Sequence, residues 1–286
     1  MSLTRLCALL CFFSLVARIG VMNGQESPAS PRTASSAKTP PVAKRIPHTE
    51  VWHGEEVQDP YFWLREKSNP EVIAYLEAEN AYTEAMTAEI KPFVEALYKE
   101  MLSHIKETDA DAPTFYRGYY YYTRREEGKQ YSIRCRKKAA ADGSLPADAT
   151  EEVLLDLNEM AEGKSFLAVG DFKISDDGRR LAYTLDTTGF RQYELFVKEL
   201  EDGEVSSPLA QRVTSVEWAA DNQTLFYTTE DSVTKRSNLL WRHELEDEAE
   251  PIYFEQDRLF NIEVDRSKDR RHIYLFCGST DTYETR

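Results

Sequence analysis

Asp177-Gly178-Arg179-Arg180-Leu181-Ala182-Tyr183 is matched 44 residues later by Asp221-Asn222-Gln223-Thr224-Leu225-Phe226-Tyr227, and a weaker third copy, 48 residues further on, runs from Asp269 to Leu275. Each copy joins turn residues to a short apolar and aromatic run, the pattern of a tight turn feeding a β-strand. A second strand-like run follows the first two copies: Tyr193-Glu194-Leu195-Phe196-Val197-Lys198, then Asn238-Leu239-Leu240-Trp241-Arg242-His243. An earlier pair, Gly118 to Thr123 and Gln130 to Lys137, has the same hairpin design. A unit of turn, strand, loop and strand recurring about every 40–50 residues reads as the blade of a β-propeller, because each four-stranded blade packs its apolar face only against its neighbours. Three blades and the opening of a fourth can be counted. The fold class is therefore mainly β, a partial propeller of about three and a half blades over residues 111–286. Propellers close their ring with about four to eight blades. Thr280 to Arg286 stand where the second half of the last unit is due, so a truncated propeller with unpaired strand edges is expected.

Upstream, residues 42–110 read as a helical extension. Asn69 can cap a helix opened by Pro70 and Glu71, since proline loses no hydrogen bond there and a carboxylate suits the positive helix end. Val72, Leu76, Tyr82, Met86 and Ile90 follow at helical spacing. Pro92 interrupts the pattern, and Val94, Leu97, Tyr98, Met101 and Ile105 resume it on a second apolar face. Two successive helices are predicted. Before them, Arg5 precedes an apolar run from Leu6 to Ala17, and Ile19 to Gln25 turn small and polar, the order of an export signal over residues 1–25. An uncleaved anchor is the alternative, although Arg18 interrupts a run shorter than the about 20 residues a membrane span needs. Residues 26–41, rich in Ser, Pro, Ala and Thr, read as a disordered linker.

The chain has 286 residues, 41% of them hydrophobic, enough to build a core. Thirty-five basic against fifty acidic side chains leave a net charge of −15, which repels nucleic acid and anionic lipid and is compatible with cationic peptides. Cys7 and Cys11 lie in the apolar leader, leaving Cys135 and Cys277 in strand-like segments, where buried free thiols are expected.

No catalytic, cofactor-binding or metal-ligating residue is found. Gly163-Lys164-Ser165-Phe166-Leu167 lacks the second glycine of a hydrolase nucleophile turn and, with Asn158 in place of the leading glycine, cannot wrap phosphate; a loop between strands is expected. His48, His53, His104, His243 and His272 show no ligand spacing. Asp109, Asp111, Asp176 and Asp177 lack the order of a calcium loop and are read as turn residues. Tyr119 to Tyr122 are read as core strand residues rather than a base-stacking platform. Asn222-Gln223-Thr224, a glycosylation sequon by pattern, falls in the repeated turn and is assigned no role.

Several motifs in one order resemble the S9 prolyl oligopeptidase family, and within it oligopeptidase B. They are Asp59-Pro60-Tyr61-Phe62-Trp63-Leu64-Arg65, Asn69-Pro70-Glu71-Val72-Ile73, Tyr75-Leu76-Glu77-Ala78-Glu79-Asn80, Lys106-Glu107-Thr108-Asp109, the run Tyr119 to Tyr131, and Glu151 to Thr188 with Leu155-Asp156-Leu157-Asn158-Glu159 and Gly170-Asp171-Phe172. The likeness covers about residues 40–286. It implies a seven-bladed propeller that restricts entry to short peptides, and a helical extension packed on a C-terminal α/β-hydrolase domain that this chain does not include. It also implies cleavage after Arg or Lys by a Ser, His and Asp of that domain, so none maps onto this sequence. The export signal departs from relatives that are commonly cytoplasmic. The partners implied are short, basic peptides and the chain's own hydrolase domain. A non-enzymatic, exported propeller that binds a peptide or protein is the rival reading, since propellers host unrelated functions.

Overall fold

The computed structural model describes residues 39–286, which divide into two compact units at Leu102 and Ser103. The leader at 1–25 and most of the linker lie outside the described residues.

The first unit opens with a hairpin of β1 (Thr49–Trp52) and β2 (Glu55–Gln58). Its turn residues His53 and Gly54 both have positive φ, 55° and 90°, which matches the right-handed twist of the strands it joins. This hairpin was not expected in a helical extension: His-Gly is a weaker turn signal than Asn-Gly. Helix α1 (Pro70–Thr87) begins as predicted, the Asn69 side chain accepting from the Glu71 amide at 2.9 Å with Pro70 in the first turn. Helix α2 (Lys91–Ser103) follows a single 3-10 turn at Ala88–Ile90. The break thus precedes Pro92, which occupies the first turn of α2, where a missing N–H removes no helical bond. Trp63 and Val72 are buried, and the Trp63 indole N–H donates to the Lys44 carbonyl at 2.9 Å. The other apolar residues predicted along α1 and α2 are largely exposed.

The second unit is four antiparallel sheets in chain order. Sheet one holds β3 (Asp109–Ala110), β4 (Thr114–Tyr116), β5 (Tyr119–Arg125), β6 (Ile133–Lys138) and β7 (Glu151–Asp156). The short helix α3 (Leu157–Met160), capped by Asp156, leads to sheet two: β8 (Ala168–Ile174), β9 (Arg180–Asp186), β10 (Glu194–Glu199) and β11 (Ala210–Gln211). Sheet three is β12 (Val213–Trp218), β13 (Thr224–Glu230), β14 (Ser237–Glu244) and β15 (Glu250–Phe254). Sheet four has three strands, β16 (Asn261–Arg266), β17 (Ile273–Gly278) and β18 (Tyr283–Thr285). Three full blades and most of a fourth are present. Asp109–Ala110 pair with Arg124 and Arg125, so they belong to the first sheet rather than to the extension.

The repeat maps onto equivalent strands. The three copies are the turns into β9, β13 and β17 with the strands themselves, and the runs after the first two are β10 and β14. At the second turn position Gly178, Asn222 and Arg270 have φ of 73°, 60° and 61°. The hairpin requires left-handed backbone at this position, which Gly178 and Asn222 suit and which Arg270 adopts without that advantage. Strand alternation then divides the core. Along β9, Leu181, Tyr183 and Leu185 join a cluster with Leu154, Leu155 and Leu157 of the preceding segment, whereas Ala182 joins Leu195, Val216, Trp218 and Leu225 on the other face. A third cluster, Leu240 with Ile262, Val264, Leu275 and Cys277, links sheets three and four. Polar ties reinforce each junction: Lys198 Nζ donates to the Leu154 carbonyl, Trp218 Nε1 to the Lys173 carbonyl, and the Val264 amide to Ser215 Oγ, each at 2.9 Å. Cys135 and Cys277 are buried free thiols.

Candidate functional site

All four sheets contribute to one cavity of about 460 Å³. Sheet one supplies Tyr116, Tyr121 and Arg134, sheet two Phe172 and Lys173, sheet three Glu217, and the β16–β17 turn Arg270.

Its charges come in two kinds. Lys173 donates to Glu217 across the junction of sheets two and three. Burial opposes the Lys173 cation, but the bond and charge of Glu217 outweigh it and raise its pKa. Asp171, nearby on β8, is pushed up to about 6, by burial first and then by Glu217 and Glu263 against the pull of Lys173. Arg270 faces Asp176, whose carboxylate also receives both terminal nitrogens of Arg266 at 3.2 and 3.0 Å and lies 3.5 Å from Arg117. Asp176 is therefore more than the turn residue the sequence suggests: its side chain points away from its own hairpin and binds arginines of sheets one and four.

Arg134 is different. Its guanidinium lies over the Phe172 ring, 4.9 Å from the centroid, and forms no ion pair; Asp111, exposed on the cavity lining, acts on it only through space. Burial lowers its pKa, with Asp111 opposing. Among the described residues, the buried side-chain atoms without a hydrogen bond of good geometry are His48 Nε2, Tyr116 Oη, Arg134 Nε, His243 Nδ1 and Arg270 Nε, of which Arg270 Nε still lies against the Asp176 carboxylate and His48 Nε2 against that of Glu50. Three of these five residues line this one cavity.

The four tyrosines are half-buried; Tyr121 packs on the core as expected, whereas the other three also make polar contacts. Tyr120 donates to the Gly143 carbonyl at 2.7 Å, Tyr122 bonds Glu151, Tyr119 lies 4.1 Å under the Arg136 guanidinium, and Tyr121 packs on the first core cluster. Ser165 lies exposed in the loop between α3 and β8. Burial pushes the Cys135 thiol up to about 11, the wrong direction for a nucleophile at neutral pH. Among the described residues no cluster of His, Cys, Asp and Glu has the arrangement to hold a metal ion, and no helix is long and apolar enough to cross a membrane. Asn222 Oδ1 accepts from the Asp177 amide at 3.1 Å and its carbonyl from Arg180 at 2.8 Å, so the sequon residue ties sheet two to sheet three.

Of the charged cavity residues, sequence reasoning singled out only Asp111, and that as a turn residue. A signal was present: Lys173, Glu217 and Asp265 each stand four residues before the turn aspartate of their repeat, on the first strand of sheets two, three and four. Arg134 carries no such periodic mark.

Successive antiparallel sheets, each joined to the next by its own apolar cluster, define a β-propeller segment. Residues 40–286 match the family model for "Prolyl oligopeptidase, N-terminal beta-propeller domain", and the chain belongs to the prolyl oligopeptidase family. It is 38% identical over 281 residues to dipeptidyl aminopeptidase BI of Pseudoxanthomonas mexicana, covering 91% of this chain and 38% of that protein. It is 36% identical to Protease 2 of Moraxella lacunata, covering 85% and 36%. Oligopeptidase B from Leishmania major superposes with a TM-score of 0.77 at 33% identity, covering 87% of this chain and 37% of that one. The chain thus corresponds to the N-terminal part of these relatives and spans well under half their length.

Proposed function

We propose that this chain is the gating part of an exported serine oligopeptidase that hydrolyses short peptides after Arg or Lys. The observation that carries the reading is the cavity to which all four sheets contribute, in a chain of a peptidase family. A bound peptide needs polar partners and a local field, and the cavity is lined by charged, hydroxyl and aromatic side chains. The net charge of −15, with Asp171, Glu217 and Asp265 acting on Lys173 and Glu263 acting on Asp171, favours basic peptides. The helices of the extension would pack on the hydrolase domain, which would also supply the Ser, His and Asp. Residues 1–25 would direct export, and fractionation with N-terminal sequencing distinguishes a cleaved leader from a retained anchor.

Residues 1–286 on their own are expected to turn over no arginyl reporter peptide, because the described residues assemble no activated nucleophile with base and oxyanion donors. Release of the reporter by the purified chain would sink this. Sequencing the coding DNA and transcript past the Arg286 codon tests the larger reading. A frame running into a Gly-x-Ser-x-Gly with later Asp and His supports the peptidase, and a stop there leaves the peptide-binding propeller.

A further inference from the structure

Cavities as large and polar as this one are normally lined by groups that satisfy each other. Here the pairing is incomplete in one direction. Lys173 is neutralised by Glu217, and Arg270 is held by Asp176 with Nε 2.5 Å from Oδ1. The remaining cation, Arg134, has its Nε buried without a partner, and the Tyr116 hydroxyl, which lines the same cavity, is buried without one. Arg134 is fixed from one side by the Phe172 ring, so its fork is held in place before any ligand arrives. An arginine has five N–H donors and accepts nothing, and a phenol can donate one more. Arg134 Nε and the Tyr116 hydroxyl are thus donors that no acceptor of the wall is bonded to, Asp111 acting on Arg134 only through space, and the ligand that suits a planar guanidinium is a planar oxyanion, bonded through two oxygens. A second arginine beside the pair would favour phosphate, but Arg270 is already committed to a carboxylate.

Building on the reading that this chain handles peptides, we propose that the cavity is a carboxylate subsite, in which Arg134 and the Tyr116 hydroxyl hold a carboxylate of a bound peptide. This gives the propeller an orienting role. Basic residues of a peptide are drawn by the chain's acidic field, while a carboxylate, its C-terminus or an acidic side chain, is fixed at Arg134.

The test compares three N-acetylated hexapeptides of otherwise identical sequence with a central arginine: one with a free C-terminal acid, one amidated, and one amidated with a glutamate next to last. Binding to the purified 286-residue chain is measured by calorimetry at low salt. At a net charge of −15, general electrostatics makes the amide bind better than the acid. The subsite reverses that order: the acid binds about 10-fold more tightly than the amide, or the glutamate peptide does if a side chain is the source. Arg134→Met abolishes the preference and Tyr116→Phe reduces it, each checked for an unchanged thermal melt; where Arg134→Met does not fold, Tyr116→Phe alone is read. Equal or weaker binding of both carboxylate peptides relative to the amide overturns the subsite and leaves the peptide-handling function standing. A preference that survives in a folded Arg134→Met chain also overturns it. Failure of all three peptides to bind overturns both.

Discussion

Asp171 shows how a single side chain reports on the interior of this propeller. Its carboxyl lies on the first strand of sheet two, where burial raises its pKa, Lys173 pulls it down, and Glu217 and Glu263 push it up. The unfolded chain releases this proton near the ordinary aspartate value of 3.8, and the folded chain near about 6. Between those values the folded state holds a proton that the unfolded state has lost, so the Asp171 contribution to stability falls as pH rises from about 4 to about 6. Above that range the ionised carboxylate is a penalty. Asp171→Asn keeps an acceptor at the same place and removes the charge. It is expected to stabilise the chain by about 1–3 kcal/mol at pH 7.5, a gain that shrinks through pH 6 and is gone near pH 4. Urea titrations at the three pH values measure it, and a gain independent of pH would show that the effect is packing and not ionisation. Asp176 is the opposite case. Removing its charge by Asp176→Ala leaves Arg266, whose side chain is 3% exposed, without its carboxylate, and about 3–5 kcal/mol of destabilisation is expected by the same urea titrations.

At the scale of elements, the sequence is most legible where backbone geometry dictates residue type. The turn at Asp177-Gly178 could be read because left-handed φ admits few residues, and the copies at Asn222 and Arg270 then located three equivalent strands. Asn69 and Pro70 announced the start of α1 for the same local reason. What the sequence did not disclose depends on partners distant in the chain. Arg134 looks like any alternating strand residue, and its lack of a partner emerges only when Phe172 is stacked on it in a cavity that Tyr116 also lines. Asp176 reads as a turn aspartate until Arg266, 90 residues away, reaches it. The helices make the converse point. Phe93, Leu97 and Met101 form one stripe along α2 at i, i+4 and i+8, and all three are exposed. An apolar stripe of this size attracts other apolar surfaces. The double substitution Leu97→Glu with Met101→Lys places a favourable pair on the same stripe and removes no buried contact. It is expected to lower binding of an anilinonaphthalene dye and self-association in light scattering, with helix content by circular dichroism unchanged. Unaltered dye binding would mean that the stripe is not the exposed apolar surface that matters.

For the second unit as a whole, the decisive feature is that there is no single core. Three apolar clusters lie between consecutive sheets, and each sheet depends on its immediate neighbours in the way a repeat protein does. Sheet three is held on both faces: Val216, Trp218 and Leu225 pack toward sheet two, and Leu240 toward sheet four. Sheet four contributes to only one of the three clusters, has three strands, and its edge strand β18 is exposed along its length. In such an array stability is a sum of sheet and interface terms, so an element with one interface opens at lower free energy than one with two. The amides of Ile262, Val264, Leu275 and Cys277 are therefore expected to exchange with solvent at least about tenfold faster than those of Val216, Trp218, Leu225 and Tyr227, although both sets are buried to a similar degree. Hydrogen exchange followed by mass spectrometry on the purified chain separates the two sets, since they fall in different peptides. Trp218→Ala adds an internal control: it opens a cavity between sheets two and three at about 3–5 kcal/mol and should accelerate exchange on both sides of that junction more than in β5 and β6. If instead sheets three and four exchange together and Trp218→Ala raises all rates equally, the unit unfolds as one body, and the carboxylate cavity is as rigid as the sheets that line it.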